Sequence, residues 1–566
     1  MPKQWVLHAI CSALALTLIA IALGGATRSP RRLPPIVFVS RAPIAGDPLA
    51  VPGLGPVHRA VVTRGRLMLR ESDGRVRELG EPRAFLDVAN PAVSPDGRRV
   101  VFSAMRSTDT AWALFLVELS SGRVNRLFEP PMYGPSEAFA LGDFEPCWIS
   151  DSLLAFVRIV PWASQYPVGQ VTELRVARLD PHGGTRDLAR PATAPAHRSV
   201  RVSAERNGAS EPVWDSRKGR LVYSRWWFNR WLPTDTSPGL TLDSAQSIAR
   251  DTVNLWQLVS TNADGSDLRL AASGLTTRLE STGDQPAILT DGSIVAVQAA
   301  NPGLAPRSGP LALLRFAPRL GHARRIAGAA IDPEDASFYG SARGLAAPSA
   351  CAPAALPDGG VVFSYDASAR GDFGLYTCDR DGRRLEKLFD LPGTHELDAA
   401  PVVKRAVGVA ERDAMKRVRA VEARAGETRA WPPGSLEGRA ASDTFRFLDR
   451  DVFAGGSARP GVDVAPIRTS GARIRFWATL ASAHGVNADT AVLVHEQAIG
   501  RDGRVDARLP ADVPLFEQLV DSSGRVLRTG RGFAHVRGQN SGRRGETVSC
   551  VGCHLGHSIV PVPRGN

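Results

Sequence analysis

Cysteine is sparse in this 566-residue chain: there are six, of which Cys11 falls in an apolar N-terminal run and Cys550 and Cys553 share one C-x-x-C motif. The remaining Cys147, Cys351 and Cys378 can form at most one disulfide, so the fold must be held by its core and not by cross-links. No basic stripe or tail occurs. The formal net charge of +12 comes from arginines scattered in ones and twos, such as Arg324-Arg325 and Arg543-Arg544. That pattern describes a solvated surface and argues against nucleic-acid binding. There is no G-x-S-x-G elbow, which removes the lid domain of a serine peptidase, and no phosphate-binding glycine loop.

What is present is globular in composition, 43% hydrophobic and 22% charged with abundant glycine and proline. This favours many short strands joined by turns. The length exceeds one ordinary core and predicts two domains, or one large β-rich architecture with a smaller unit beside it. At the N-terminus, Lys3 precedes an apolar run from Trp5 to Leu23, followed by the small residues Gly24, Gly25 and Ala26. Residues 1–26 therefore look like an export signal, with an uncleaved membrane anchor as the alternative. Arg28, Arg31 and Arg32 would lie on the exported side, which disfavours the anchor.

A repeat runs through the middle of the chain: NPAVSPDGRRVVFSA from Asn90, EPCWISDSLLAFV from Glu145, EPVWDSRKGRLVYS from Glu211, QPAILTDGSIVAV from Gln285 and APAALPDGGVVFS from Ala352. Each copy opens on a proline, continues into a short strand and a polar turn, and returns in a hydrophobic strand. Asp-Gly in three of the turns supplies the positive φ angles of a tight hairpin. Flanking segments such as WALFLVEL complete four-stranded blades. A sixth opening proline, Pro401, has no hairpin after it, and RLMLRESDGRVRELG from Arg66 to Gly80 is a hairpin without a blade. Joining the two closes a ring and leaves no exposed edge. The expected fold is thus all-β: a six-bladed β-propeller over residues 36–410, a linker over 411–435, and a β-sandwich-like domain over 436–566. The largest insertion lies between Arg225 and Asn254 and carries Trp226, Trp227, Phe228 and Trp231. Packing over its own blade is the plain reading of this cluster; a cofactor wall or partner surface is the sharper one.

The C-terminal domain ends on CVGCH, Cys550 to His554. Two thiols three residues apart can each add across a porphyrin vinyl group, and the adjacent imidazole is then held against the iron. The spacing predicts one covalent haem c on Cys550 and Cys553, with His554 as axial ligand. A zinc site would want a second ligand pair, and a thioredoxin-like motif a βαβ context; neither is seen. Since no methionine follows Met415, a methionine sixth ligand would have to come from Met68, Met105, Met132 or Met415 through the fold. His557, His535, His495 and His484 are the histidine candidates, and an open site is the third alternative. Cys147, Cys351 and Cys378 are expected as free thiols packed in the core. Cys351 and Cys378 fall one strand apart, about 9 Å or more, beyond the roughly 7 Å limit of a disulfide. Asp143, Glu145 and Glu211 lie beside blade starts, where turn solvation explains them more cheaply than a role in the channel. Arg531, Arg537, Arg543 and Arg544 are expected at the surface, with haem propionates as the alternative partner.

Three stretches, DFEPCW from Asp143, PADVPLFEQLVDSSGRVL from Pro510 and GETVSCVGCH from Gly545, together resemble the hydrazine synthase alpha subunit family. That resemblance implies a six-bladed propeller joined to a C-terminal region holding haem at Cys550, Cys553 and His554. It also implies a haem-dependent oxidoreductase as the enzyme class. No second C-x-x-C-H motif occurs, so the multi-haem arrangement used for hydrazine synthesis is not expected within this chain. The resulting expectation is an exported, periplasmic, single-haem cytochrome that transfers electrons or performs haem-based redox chemistry. It would meet a redox partner protein, with a small-molecule substrate if the iron is open, and a membrane only if the N-terminal segment stays. The alternative is a propeller that binds a protein or glycan and carries a structural haem.

Overall fold

The computed structural model describes residues 32–47, 50–128, 142–165, 169–179, 199–227, 229–234, 240–242, 255–272, 283–299, 310–318, 323–329, 347–424, 434–436, 439–454, 466–481, 489–527 and 540–550. The N-terminal segment read as an export signal lies outside them. Among the described residues no helix is long and apolar enough to cross a membrane.

Six four-stranded antiparallel units stand in a ring. Their innermost strands are Asp87–Val93, Asp143–Ser150, Gly208–Asp215, Asp284–Ile288, Ser349–Ala355 and His395–Pro401. Each contacts the next, and the last contacts the first. The second and third units are also joined by one bridge between Thr172 and Gly208. The ring closes as the unmatched segments require: His395–Pro401 pairs with Ile36–Arg41, which pairs with Arg66–Arg70 and then Val76–Glu78. The sixth blade therefore draws three strands from the N-terminal side, one more than the Arg66–Gly80 hairpin alone.

The conserved-looking grammar of the repeat has a backbone cause. The residue before each opening proline takes a positive φ: Asn90 50°, Glu145 53°, Glu211 51°, Gln285 46° and Ala352 47°. At each of these places the strand register shifts, making a bulge. Proline has no N–H to give to the ladder, so it suits the position after a bulge. In the sixth blade the same conformation falls at Asp398, φ 56°, with Ala399 where the others have proline. Pro401 is thus not the sixth opening position; it sits two residues later, at the strand end. The Asp-Gly turns also differ from the expectation. Gly97, Gly292 and Gly359 are left-handed and the aspartates before them are not. The aspartate instead accepts from the N–H two residues on, as Asp96 does from Arg98 at 3.0 Å and Asp291 from Ser293 at 2.9 Å. This is a tight turn completed by one left-handed glycine, with an Asx hydrogen bond.

After the ring, the chain forms a helix, Val409–Arg424. Its Ala414 and Val418 pack into the core of the second and third blades, with Met415 beside them. Glu411 caps it, accepting from Gly408 N–H at 2.7 Å and from Trp214 Nε1 at 3.0 Å. Two three-stranded sheets follow. Val505–Pro510, Thr444–Asp449 and Thr547–Cys550 make one; Thr490–Ala498, Arg473–Leu480 and Leu515–Val520 make the other. Phe445, Phe447, Ile474, Phe476, Leu509 and Leu519 fill the space between them. Val505–Pro510 alternates buried and exposed along its length, as a one-sided strand must. A sandwich behind a six-bladed propeller is the fold class the sequence predicted.

Candidate functional site

Thr547–Cys550 is the last described strand, and it lies parallel to Thr444–Asp449 with Asp449 opposite Cys550. Both residues are buried, and so is Glu517, which the facing sheet brings into the same core through its register opposite Phe476. An aspartate ending TFRFLD and a glutamate inside the apolar run PLFEQLV are what that core encloses beside the thiol. Asn540 donates Nδ2–H to Glu517 Oε1. Asp449 Oδ1 accepts from Asp451 N–H at 3.0 Å, and Oδ2 has no hydrogen-bond partner among the described residues.

Burial, with the charges of Asp449 and Glu517 adding to it, pushes the Cys550 thiol well above its ordinary range. Burial likewise raises Asp449 to about 7, with Asp451 adding to it. Glu517 rises to about 8 by burial, against the hydrogen bond from Asn540. A thiol in such surroundings stays protonated, whereas a thioether has no proton to lose and suits them. The position of Cys550 thus fits covalent attachment of an apolar ring, and the unpartnered Asp449 oxygen fits a site that receives another group.

Cys553, His554 and His557 lie outside the described residues, as do His484, His535, Met132, Arg531 and Arg537. Of the remaining ligand candidates, His495 shares a 3.0 Å hydrogen bond with Gln497. Met68 is buried in the sixth blade, Met105 packs near Trp112 and Phe144, and Met415 belongs to the helix core. Arg543 is not a surface arginine: it pairs with Asp512 and donates to Arg201 O at 2.9 Å, tying the sandwich to the propeller. Arg544 is exposed and pairs with Asp443 at 3.0 Å.

The aromatic insertion serves the same junction. Trp226 stacks on Trp256 within its own blade, ring centres 5.4 Å apart and nearly parallel. Trp231 and Leu240, from the hairpin Trp231–Pro233 and Leu240–Leu242, pack against Trp477 and Phe516 of the sandwich. Arg206 of the propeller pairs with Asp489 of the sandwich at 2.5 Å, both side chains buried. Trp226 therefore packs over its own blade, and Trp231 belongs to a wall between the two parts of this chain. Phe228 and the surroundings of the Trp227 side chain lie outside the description.

A second polar site occupies the propeller axis, in a cavity of about 380 Å³ lined by the residues at and after the six bulges. Here the expectation for the acidic residues fails: Glu145 and Glu211 line the cavity, and Glu145 is buried. The left-handed backbone gives the reason, because it turns N–H groups to where the neighbouring blade can meet them. Asn90 N–H donates to Asp398 Oδ2 at 3.0 Å, and Ala352 N–H to Gln285 Oε1 at 2.9 Å. Arg59, which the sequence did not single out, donates to Glu145 Oε1 at 2.7 Å. Asp143 is also buried, in a two-bond pair with Arg158 at 2.6 and 2.7 Å. Burial, then Glu145, raises Asp284 to about 6; burial, then Glu145, Asp284 and Asp398, raises Glu211 well above its usual range. Cys147, Cys351 and Cys378 form no disulfide and are buried in blade cores, as expected. Among the described residues no group of three or more His, Cys, Asp or Glu is arranged to hold a metal ion.

Comparison with known proteins points the same way as the geometry. No curated protein matches the chain. The hydrazine synthase from Kuenenia stuttgartiensis is similar in structure, with a TM-score of 0.59 at 14% identity, covering 92% of this chain and 69% of that one. TolB from Acinetobacter baumannii is more distant, with a TM-score of 0.39 at 14% identity over 66% of this chain and 68% of its own. Residues 414–555 match the family model of the hydrazine synthase alpha subunit middle domain, which takes in most of the helix, the sandwich and the C-x-x-C-H motif. Residues 414–555 are thus similar to the middle domain of hydrazine synthase alpha subunits, and the chain as a whole, with its six-bladed propeller, is similar in fold to the Kuenenia stuttgartiensis hydrazine synthase.

Proposed function

We propose that this protein is an exported single-haem c-type cytochrome built on a propeller scaffold, which transfers electrons or carries out redox chemistry at the haem. The observation that carries the reading is the seat of Cys550: the first thiol of the motif ends a strand inside the matched domain, buried beside two carboxyls. Cys550 and Cys553 would hold the haem and His554 its iron. The haem, when bound, supplies a one-electron redox centre. The chain's own part is to keep water from that centre with the Phe445, Phe447 and Phe476 core and to set its electrostatics through Asp449 and Glu517. The wall formed by Trp231, Trp477 and Phe516 holds the sandwich on the propeller, which then presents a rigid surface to a redox partner.

The test is an absorption spectrum, oxidised and reduced, of protein made with the haem-attachment machinery, with a pyridine haemochrome assay and a Cys550→Ala/Cys553→Ala variant. A c-type spectrum that survives denaturation and is lost in the variant supports the reading. A high-spin iron that binds carbon monoxide rapidly would assign chemistry at the iron; a six-coordinate low-spin spectrum in both states would assign electron transfer. Absence of covalent haem would sink the reading and leave the axial cavity as evidence for a binding module.

A further inference from the structure

The carboxyls of Asp449 and Glu517 are an unusual thing to place in the middle of a sandwich core. Among the described residues neither meets a cation at hydrogen-bond distance: Glu517 is bound by the Asn540 amide and Asp449 by one backbone N–H. Some buried carboxylates elsewhere in this chain have only neutral donors, as Glu396 has from Ser40, Thr394 and Leu391, but others are matched to a cation. Asp87 meets Arg41 at 2.7 Å and Asp143 meets Arg158 on both oxygens. A buried carboxylate without a partner cation costs several kcal/mol, so a fold that needed only packing would hold leucine or asparagine here. Instead two such groups converge on one thiol from different sheets, and one oxygen, Asp449 Oδ2, has no partner among the described residues.

The groups acting on them are few. Asp451 lies beside Asp449 on its own connection, Cys550 lies across the parallel pair, and Asn540 reaches Glu517. From the propeller, Arg225 acts on Glu517 at longer range while bonding Gln257 at 2.5 Å. The pair is therefore poised between neutral and ionised forms near neutral pH, where a single added charge nearby decides the balance.

We infer that Asp449 and Glu517 form a proton-accepting pair that couples electron uptake at the group attached to Cys550 to proton uptake from solvent. The inference rests on the haem reading above. In the step, one electron from a one-electron donor protein or dye reduces ferric to ferrous iron. One proton from water joins whichever of the two carboxyls is ionised, so an O–H bond forms and the core gains no net charge. The low dielectric between the sheets makes that neutralisation favourable.

The experiment is a spectroelectrochemical titration of the haem-loaded full chain between about pH 5 and 9, the range spanning the two groups, with a haemochrome assay on the same sample. The ferric-to-ferrous equilibrium should shift by up to about tenfold per pH unit across neutrality. The shift should shrink in Asp449→Asn or Glu517→Gln and vanish in the double variant. The reduced-minus-oxidised infrared difference spectrum of the unaltered protein should contain a protonated-carboxyl band that moves in heavy water, a readout that needs no variant to fold. A haem-loaded protein whose potential is independent of pH, or whose slope and band persist in the double variant, overturns the inference and leaves the haem reading standing. A negative haemochrome assay overturns both.

Discussion

Glu145 and Glu211 are joined between neighbouring blades beside the propeller axis by a 2.6 Å hydrogen bond in which the Glu211 N–H donates to Glu145 Oε2. Two acidic residues approach this closely because a left-handed backbone at Glu211 offers an N–H, and because Arg59 meets the other Glu145 oxygen at 2.7 Å. Arg59 is the cation whose ion pair holds a ring that also contains Asp284 and Asp398. Arg59→Met should cost about 3–5 kcal/mol, the usual penalty for breaking one side of a buried pair. Burial, then Glu145, puts Asp284 at about 6 in the folded state, above its unfolded value, so its contribution is full at low pH and lost as pH rises past about 6. The deficit of the variant should therefore be larger at pH 8 than at pH 5, as read by urea melts at both.

His395 is buried against Phe373 at 5.6 Å, and both its ring nitrogens are unpartnered among the described residues. Burial, then the charge of Arg41, pushes it down to about 4. A depressed histidine leaves the folded state neutral while the unfolded chain takes up a proton, so stability is lost as pH falls from about 6.5 towards 4. The loss amounts to about 3 kcal/mol at 1.36 kcal/mol per unit. His395→Leu should match the parent at pH 8 and be more stable by an amount of that order at pH 4, as measured by thermal unfolding.

Arg206 and Asp489 are buried together where the propeller meets the sandwich. Arg206→Ala should cost about 3–5 kcal/mol, and the Arg206→Ala/Asp489→Ala double variant less than the sum of the two single changes. Because the pair spans the junction, calorimetry should show one transition in the parent and a separation of sandwich from propeller in the single variant.

Cys147 is pushed up to about 12 by burial, and Cys351 well above its ordinary range by burial, then Asp398 and Glu211. Thiolate is the reactive form, so neither should react with a thiol reagent at pH 8 until the protein is denatured. Native-state labelling of either within minutes, located by mass spectrometry, would contradict their placement in the blade cores.

Much of the architecture is local and could be seen in the chain. A residue with proline after it, a strand, a polar turn and a strand recur because each blade solves the same backbone problem, and unmatched segments at both ends imply ring closure. The C-x-x-C-H motif is equally local, since both thiols and the imidazole lie within five residues. The sixth blade was misplaced by two residues because proline is only one way to follow a bulge, and Ala399 is another.

What the sequence could not assign is whatever depends on which strands face each other. Asp449, Glu517 and Cys550 come from three separate segments, and register alone puts them in one core. Arg59 has no motif, and only the closed ring brings it to Glu145. Glu145 and Glu211 looked like turn residues until the positive φ turned them to the axis. Short-range grammar determined the blades and the motif, because hydrogen bonding and steric limits act over a few residues. The tertiary structure decided which charges are buried together, because desolvation depends on every neighbour at once.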